Sequence, residues 1–320
     1  MENIESITEE KEAKLPFYSY RSVLKCYSAG ISFVTDNFLF ILKTFSPVFA
    51  CSALFFAIWL DLLYSFQPYF ILMSFIAFFL FAVNYYVVMA MTFRVFDQIA
   101  LDKGFLGYNA WTLFKATRKK FVKMFHWFLI CFVVVLVALI PTFITAIVLY
   151  SGMDKTTPLE TIGTNVLILY GVMLINLIIF GFVVGVPMYM SMFYVMMEKG
   201  SSIKNAWKGL KVGYRLWAKC FGLLLLMVIT FDLLGAVFCS LLSVMYSAKA
   251  VAITSAAQGD IVYLPEAINW ILPIVSFVTV FFSCFIDVMA VSCGIYLYAS
   301  AKTDEKNKEN AIVFVDGESK

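Results

Sequence analysis

Six stretches of this chain, at approximately residues 43–64, 69–93, 125–150, 166–196, 221–246 and 268–299, are long and almost wholly apolar. The hydrocarbon core of a bilayer is about 30 Å thick and takes roughly 20 such residues to cross as a helix. Inside that layer every backbone N–H and C=O must be satisfied within the protein, which restricts spanning segments to helices or closed barrels. The expected fold is therefore all-α, a polytopic membrane helical bundle with six transmembrane helices. Composition agrees, since 62% of the residues are hydrophobic and 14% charged, whereas soluble chains carry about 25% charge. The 34 Phe, 17 Tyr and 6 Trp suit a chain that anchors at two water–lipid interfaces.

The basic residues set an expected orientation, because short cytoplasmic loops retain Lys and Arg. Of the 24 Lys and Arg, 22 lie before the first span, between the second and third, between the fourth and fifth, or after the sixth. Only Lys155 and Lys249 fall on the other side, so both termini are expected in the cytoplasm of a bacterial cell, with the chain in its inner membrane. Residues 1–12 are polar and acidic and lack the basic and apolar regions of a cleaved signal, so the first span is expected to act as its own insertion signal. The seven cysteines form no CxxC and no Cys/His cluster, and neither structural disulfides nor a zinc site is expected. A net charge of +3 is too small to argue for a nucleic-acid partner.

A repeated segment organises the lysine-rich connections. Asp102-Lys103-Gly104, four variable positions and Asn109-Ala110-Trp111 return 96 positions later as Glu198-Lys199-Gly200 followed by Asn205-Ala206-Trp207. Beyond the tryptophans, Lys115, Lys119, Lys123 and Phe125 fall opposite Lys211, Arg215, Lys219 and Phe221. At about 100° per residue, Trp207, Leu210, Tyr214, Trp217 and Phe221 share one face, with a basic stripe beside it. Trp111, Phe114, Phe121 and Phe125 do the same in the first copy. Each copy reads as a cytoplasmic basic amphipathic helix lying in the interface and feeding a span. Trp111, Trp207, Trp217, Lys115, Lys119, Lys211 and Arg215 are its interfacial anchors, and anionic lipid headgroups its expected partners. A weaker third copy begins near Ala29, where Ile31, Val34, Phe38, Ile41 and Phe45 hold the apolar positions. The expected organisation is a cytoplasmic segment 1–28, one membrane domain 29–301 built from hairpin units 29–103, 104–199 and 200–301, and a cytoplasmic tail 302–320. Within the tail, 311–315 (Ala-Ile-Val-Phe-Val) is apolar enough to add a strand to a partner or to fold back on the membrane surface.

With Asn109-Ala110-Trp111 and Asn205-Ala206-Trp207 each leading into a span, the layout resembles uncharacterised six-span bacterial inner-membrane proteins related to the membrane domain of glycerophosphoryl diester phosphodiesterases. In that family the catalytic barrel is a separate domain. The resemblance implies a membrane module of undetermined role and carries over no catalytic residue.

Four polar residues inside the spans are the candidate intramembrane site. Asp232 and Asp287 lie near the centres of helices five and six with no basic residue at comparable depth, and a charge there costs about 2.5 to 3.5 kcal/mol on insertion scales. Asp232 shares a stripe with Gly235, Cys239 and Ser243, and Asp287 with Ser283, Ala290 and Gly294; small residues mark close helix packing, so both acids are expected to face inward. They either line a polar path or are neutral side chains bonded to a neighbouring helix. Asn84 and Asn176, within helices two and four, read first as interhelical glue and second as ligand contacts. His126, the one histidine, is an interfacial residue, and multi-imidazole metal sites are excluded. No nucleophile–base pair, metal constellation or cofactor motif can be assembled, so neither enzymatic activity nor a cofactor is expected. Two readings remain: transport of a small solute, ion or lipid through helices five and six, or a non-enzymatic scaffold or envelope-homeostasis factor with a homo-oligomeric or membrane-protein partner.

Overall fold

Every regular element among the described residues is helical, as the backbone of a spanning chain requires. The computed structural model describes residues 16–63, 68–101, 107–151, 159–259, 265 and 267–318. The helices in order are α1 (Val23–Asp36), α2 (Phe38–Leu63), α3 (Pro68–Ala100), α4 (Ala110–Tyr150), α5 (Leu159–Phe180), α6 (Val186–Met197), α7 (Ser202–Arg215), α8 (Trp217–Met227), α9 (Leu233–Ala257) and α10 (Ile268–Glu318). π-Helical turns at Gly181–Gly185 and Val228–Asp232 join α5 to α6 and α8 to α9. Six runs are long and apolar enough to cross a membrane: Phe38–Leu63, Leu72–Ala100, Ala110–Tyr150, Gly163–Met197, Trp217–Ala256 and Ile268–Lys308. Each expected span falls on one of them, and the chain is a multi-pass, all-α membrane protein.

Two boundaries differ from expectation. The polar break after the fifth span begins later, because Ser247 to Ala257 is rich in alanine, the best helix former, and α9 continues through it. It stops at Gln258 and Gly259, the latter at φ 91°, a left-handed cap that glycine alone adopts without penalty. The tail does not supply a strand either. Nothing after Ala301 breaks a helix, Lys302–Glu305 and Lys308–Asp304 pair one turn apart, and α10 carries the 311–315 run onward as helix. Of the repeated turn, Asp102, Lys103 and Gly104 lie outside the described residues; in the second copy Glu198 is extended and Gly200 takes φ 104°.

The chain divides into two compact units, Met1–Arg118 with Leu225–Lys320, and Lys119–Leu224. In the first unit α2 packs against α3 and α10, α10 also meets α3 and α9, and α1 lies on α10. Lipid is as apolar as a leucine core, so close packing and interhelical hydrogen bonds hold such helices together. Phe49 illustrates the packing: on α2, its ring lies 4.9 Å from Phe285 and 5.9 Å from Phe281 of α10, edge-on to both. α1 presents Cys26, Gly30, Phe33 and Val34 to its neighbours, and a Cβ on Gly30 would sit 2.5 Å from the Cys293 backbone nitrogen. Ahead of α1, the buried Arg21 donates from its guanidinium to the Phe17, Ser19 and Pro16 carbonyls and stacks 5.0 Å from the Tyr296 ring. Its backbone N–H donates to Ser300 Oγ, which donates back to the Arg21 carbonyl. Desolvation lowers the Arg21 pKa from its usual value, opposed by Tyr296 and Cys26.

In the second unit α7 lies on α6. The buried face of α7 is Ala206, Gly209, Val212 and Gly213, a small-residue stripe of the kind that lets two backbones meet. A Cβ at Gly209 would be 2.5 Å from Ser191 Cα, and one at Gly213 would be 2.7 Å from Pro187 Cα. Pro187 also explains a second contact. It has no N–H, and in the π register of the preceding turn its absent bond would have gone to the Phe182 carbonyl; Trp217 Nε1 donates to that oxygen at 2.9 Å. Lys120 and Lys123 donate to the Met196 and Glu198 carbonyls, placing two cations where the carbonyls at the end of α6 have no helical partner.

Candidate functional site

Four helices of the first unit line a cavity of about 350 Å³. α10 contributes Thr279, Ser283 and Asp287, spaced four residues apart and so on one face, with Val280 and Cys284 beside them. α9 adds Cys239, Leu242, Ser243 and Tyr246; α3 adds Phe81 and Tyr85; α2 adds Phe56 and Leu60. One end is closed by a packed cluster of Leu242, Tyr246 and Leu272, and the Tyr246 hydroxyl meets Ser276 Oγ at 3.2 Å. Asp287 is the one ionised-type side chain in this lining, and no Lys or Arg joins it among the described residues. The Tyr85 hydroxyl is within hydrogen-bonding reach of its carboxyl, and the Asp232 carboxyl is near enough for its charge to be felt there.

The two aspartates are placed differently. Asp287 is half-buried and lines the cavity; Asp232 is exposed, ends the π turn Val228–Asp232 and is not part of the lining. Asp232 stands seven and eleven residues before Cys239 and Ser243, which do line the cavity, and so shares their stripe from its place just ahead of α9. That turn is held from α1: Tyr27 Oη donates to Thr230 Oγ1 at 2.9 Å, and Thr230 Oγ1 donates to the Leu226 carbonyl.

The two asparagines are committed to their neighbours. Asn84 Nδ2 donates to the Val48 carbonyl at 2.7 Å and to Ser52 Oγ at 2.6 Å, tying α3 to α2. Asn176 Nδ2 donates to the Ala138 carbonyl and to Thr142 Oγ1, tying α5 to α4. Both clasps take a carbonyl and the hydroxyl four residues on, and each sits beside a proline inside the first helix of its hairpin, Pro47 or Pro141.

None of the aromatic and basic residues of the repeat is among those that line the cavity. Trp111 and Trp207 are 62% and 60% exposed, and the amine one turn on, Lys115 or Lys211, stands 5.0 or 5.7 Å from its ring. Lys119 and Arg215 are exposed, whereas Trp217 stacks on Phe221 and caps the Phe182 carbonyl. One charged feature was not singled out in the sequence. Lys249 of α9 pairs with Asp61 of α2 at 2.6 Å, beside a second cavity of about 410 Å³ lined by Asp61, Ala57 and Ile58 with Pro273, Ile274 and Phe277 of α10. The available signal was that Lys249 is one of only two basic residues on its side of the spans, and Asp61 an acid at the same end.

Comparison with known protein families, characterised proteins and solved structures yields no match.

Proposed function

We propose that this is a transport-type protein of a bacterial inner membrane, with both termini in the cytoplasm, that takes a small solute or lipid into the cavity between α2, α3, α9 and α10. The observation that carries this reading is that Asp287, an acid in a spanning helix with its carboxyl in reach of the Tyr85 hydroxyl, lines a cavity. Intramembrane acids are retained where they meet a substrate, a proton or water, and a scaffold would have no use for an open space at that depth. The tryptophan-and-lysine pairs at positions 111/115 and 207/211 support an interfacial role for α7 and the start of α4, with the rings at headgroup level and the amines on anionic lipid. The resemblance to six-span membrane modules fits the same picture.

Untargeted metabolite and lipid profiling of a deletion strain tests the reading. Wild type restores the profile, and Ser283→Trp, which fills the cavity and leaves both acids in the chain, fails to restore it at equal membrane abundance. Full restoration by Ser283→Trp would mean that the cavity is not used and would favour the scaffold reading.

A further inference from the structure

Given that the cavity is a binding site, its walls select among ligand chemistries. Its one acid is Asp287, and no Lys, Arg or His joins the lining among the described residues. An anion, including a lipid phosphate, would find no basic group in this lining to offset its charge. A sugar would leave most of its hydroxyls against Leu60, Leu242, Val280 and the phenyl rings, which a buried polar group does not tolerate without partners. An inorganic cation would find one carboxylate where about six oxygen ligands are needed.

The aromatic wall points to the remaining class. Phe81 lies 5.2 Å from Phe56 and 6.4 Å from Tyr85, centroid to centroid, which makes one continuous run of rings leading to Asp287, with Tyr246 on α9 completing the lining. Ring faces attract cations, more strongly where water is excluded, and rings equally accept an apolar body. The volume of about 350 Å³ lies in the range of sites for drug-sized molecules.

We infer that the Asp287 cavity binds a lipophilic organic cation, with its charge at the Asp287 carboxylate and its apolar body along Phe81 and Phe56. This names the substrate class of the site proposed above and rests on that reading.

Tetraphenylphosphonium and tetraphenylborate share shape and size and differ in sign, so they isolate the charge. Equilibrium binding of each is measured on the purified full chain in maltoside detergent, with protein-free micelles subtracted. Tetraphenylphosphonium binds saturably and at least about tenfold more tightly than tetraphenylborate, a modest margin for a desolvated cation on aromatic rings. Asp287→Asn lowers phosphonium affinity by about tenfold or more, Asp287→Glu keeps most of it, and Ser283→Trp abolishes it. Equal affinity for the two ions, or unchanged phosphonium binding in Asp287→Asn, overturns the cation assignment. If both ions bind alike and Ser283→Trp removes both, the cavity is a site and only its ligand class is wrong. Absence of saturable binding overturns the cation assignment as well, while the strain profile judges the transport reading separately.

Discussion

The two units treat the membrane-spanning environment differently. In the first, the spanning helices carry Asp61, Asp232 and Asp287 together with Lys249, and they line two cavities. In the second, neither α4 beyond His126 nor the run from Thr161 to Met197 holds any Asp, Glu, Lys or Arg. Burial follows the same division: 33% of the apolar core of the Ile268–Lys308 span is covered by protein, against 6% for Ala110–Tyr150 and none for Gly163–Met197. What the units share is the asparagine clasp, present in α2/α3 and again in α4/α5. The clasp is therefore how a hairpin of this chain is held closed, and the acids are an addition made in one unit only.

Three further experiments bear on that contrast, beyond the profiling and ion-binding measurements. The largest effect belongs to the close approach of α7 to α6. Gly209→Ala and Gly213→Ala force backbone apart and cost about 1–3 kcal/mol each, as overpacking does, read as a lowered melting temperature in detergent. Hydrogen exchange should accelerate in α6 and α7 and stay unchanged in α2, α3 and α10; a uniform acceleration would show that the units do not respond separately. Next come the clasps. Asn84→Ala and Asn176→Ala should each lose about 1 kcal/mol, the scale of interhelical hydrogen bonds in membranes, and a loss at one site alone would show that the two hairpins are held by different means. The smallest effect is that of the Asp61–Lys249 pair. With Asp61 nearly half exposed, a double-mutant cycle on Asp61→Asn and Lys249→Gln should return a coupling of about 0.5 kcal/mol, and no change in phosphonium affinity, since neither residue lines the Asp287 cavity.

The architecture was legible in the sequence because spanning a bilayer leaves so few solutions. Length and apolarity located all six spans, and proline, asparagine and tryptophan marked positions that the structure uses. Less was legible wherever the outcome depends on which face of a helix meets which neighbour. The helical projection of α7 found the Trp207–Leu210–Tyr214 face, which is the outward one, and passed over the small residues Ala206, Gly209 and Gly213, of which the two glycines bring α6 close. Lys123 was read as part of a surface stripe and instead closes the end of α6. Asp232 and Asp287 looked equivalent by depth and by their small neighbours. They differ in that Asp287 lines the cavity itself, while Asp232, on the stripe of Cys239 and Ser243, stands exposed where the π turn meets α9.

That irregularity has an evolutionary reading. A π turn is what a helix becomes when one residue is inserted and the flanking turns keep their old partners. Deleting one residue from Val228–Asp232 would therefore return the segment to α geometry and leave α8 and α9 with the faces they now present. The surplus residue ahead of α9 is thus a single codon's worth of length that the helices on either side absorb without changing the faces they pack with.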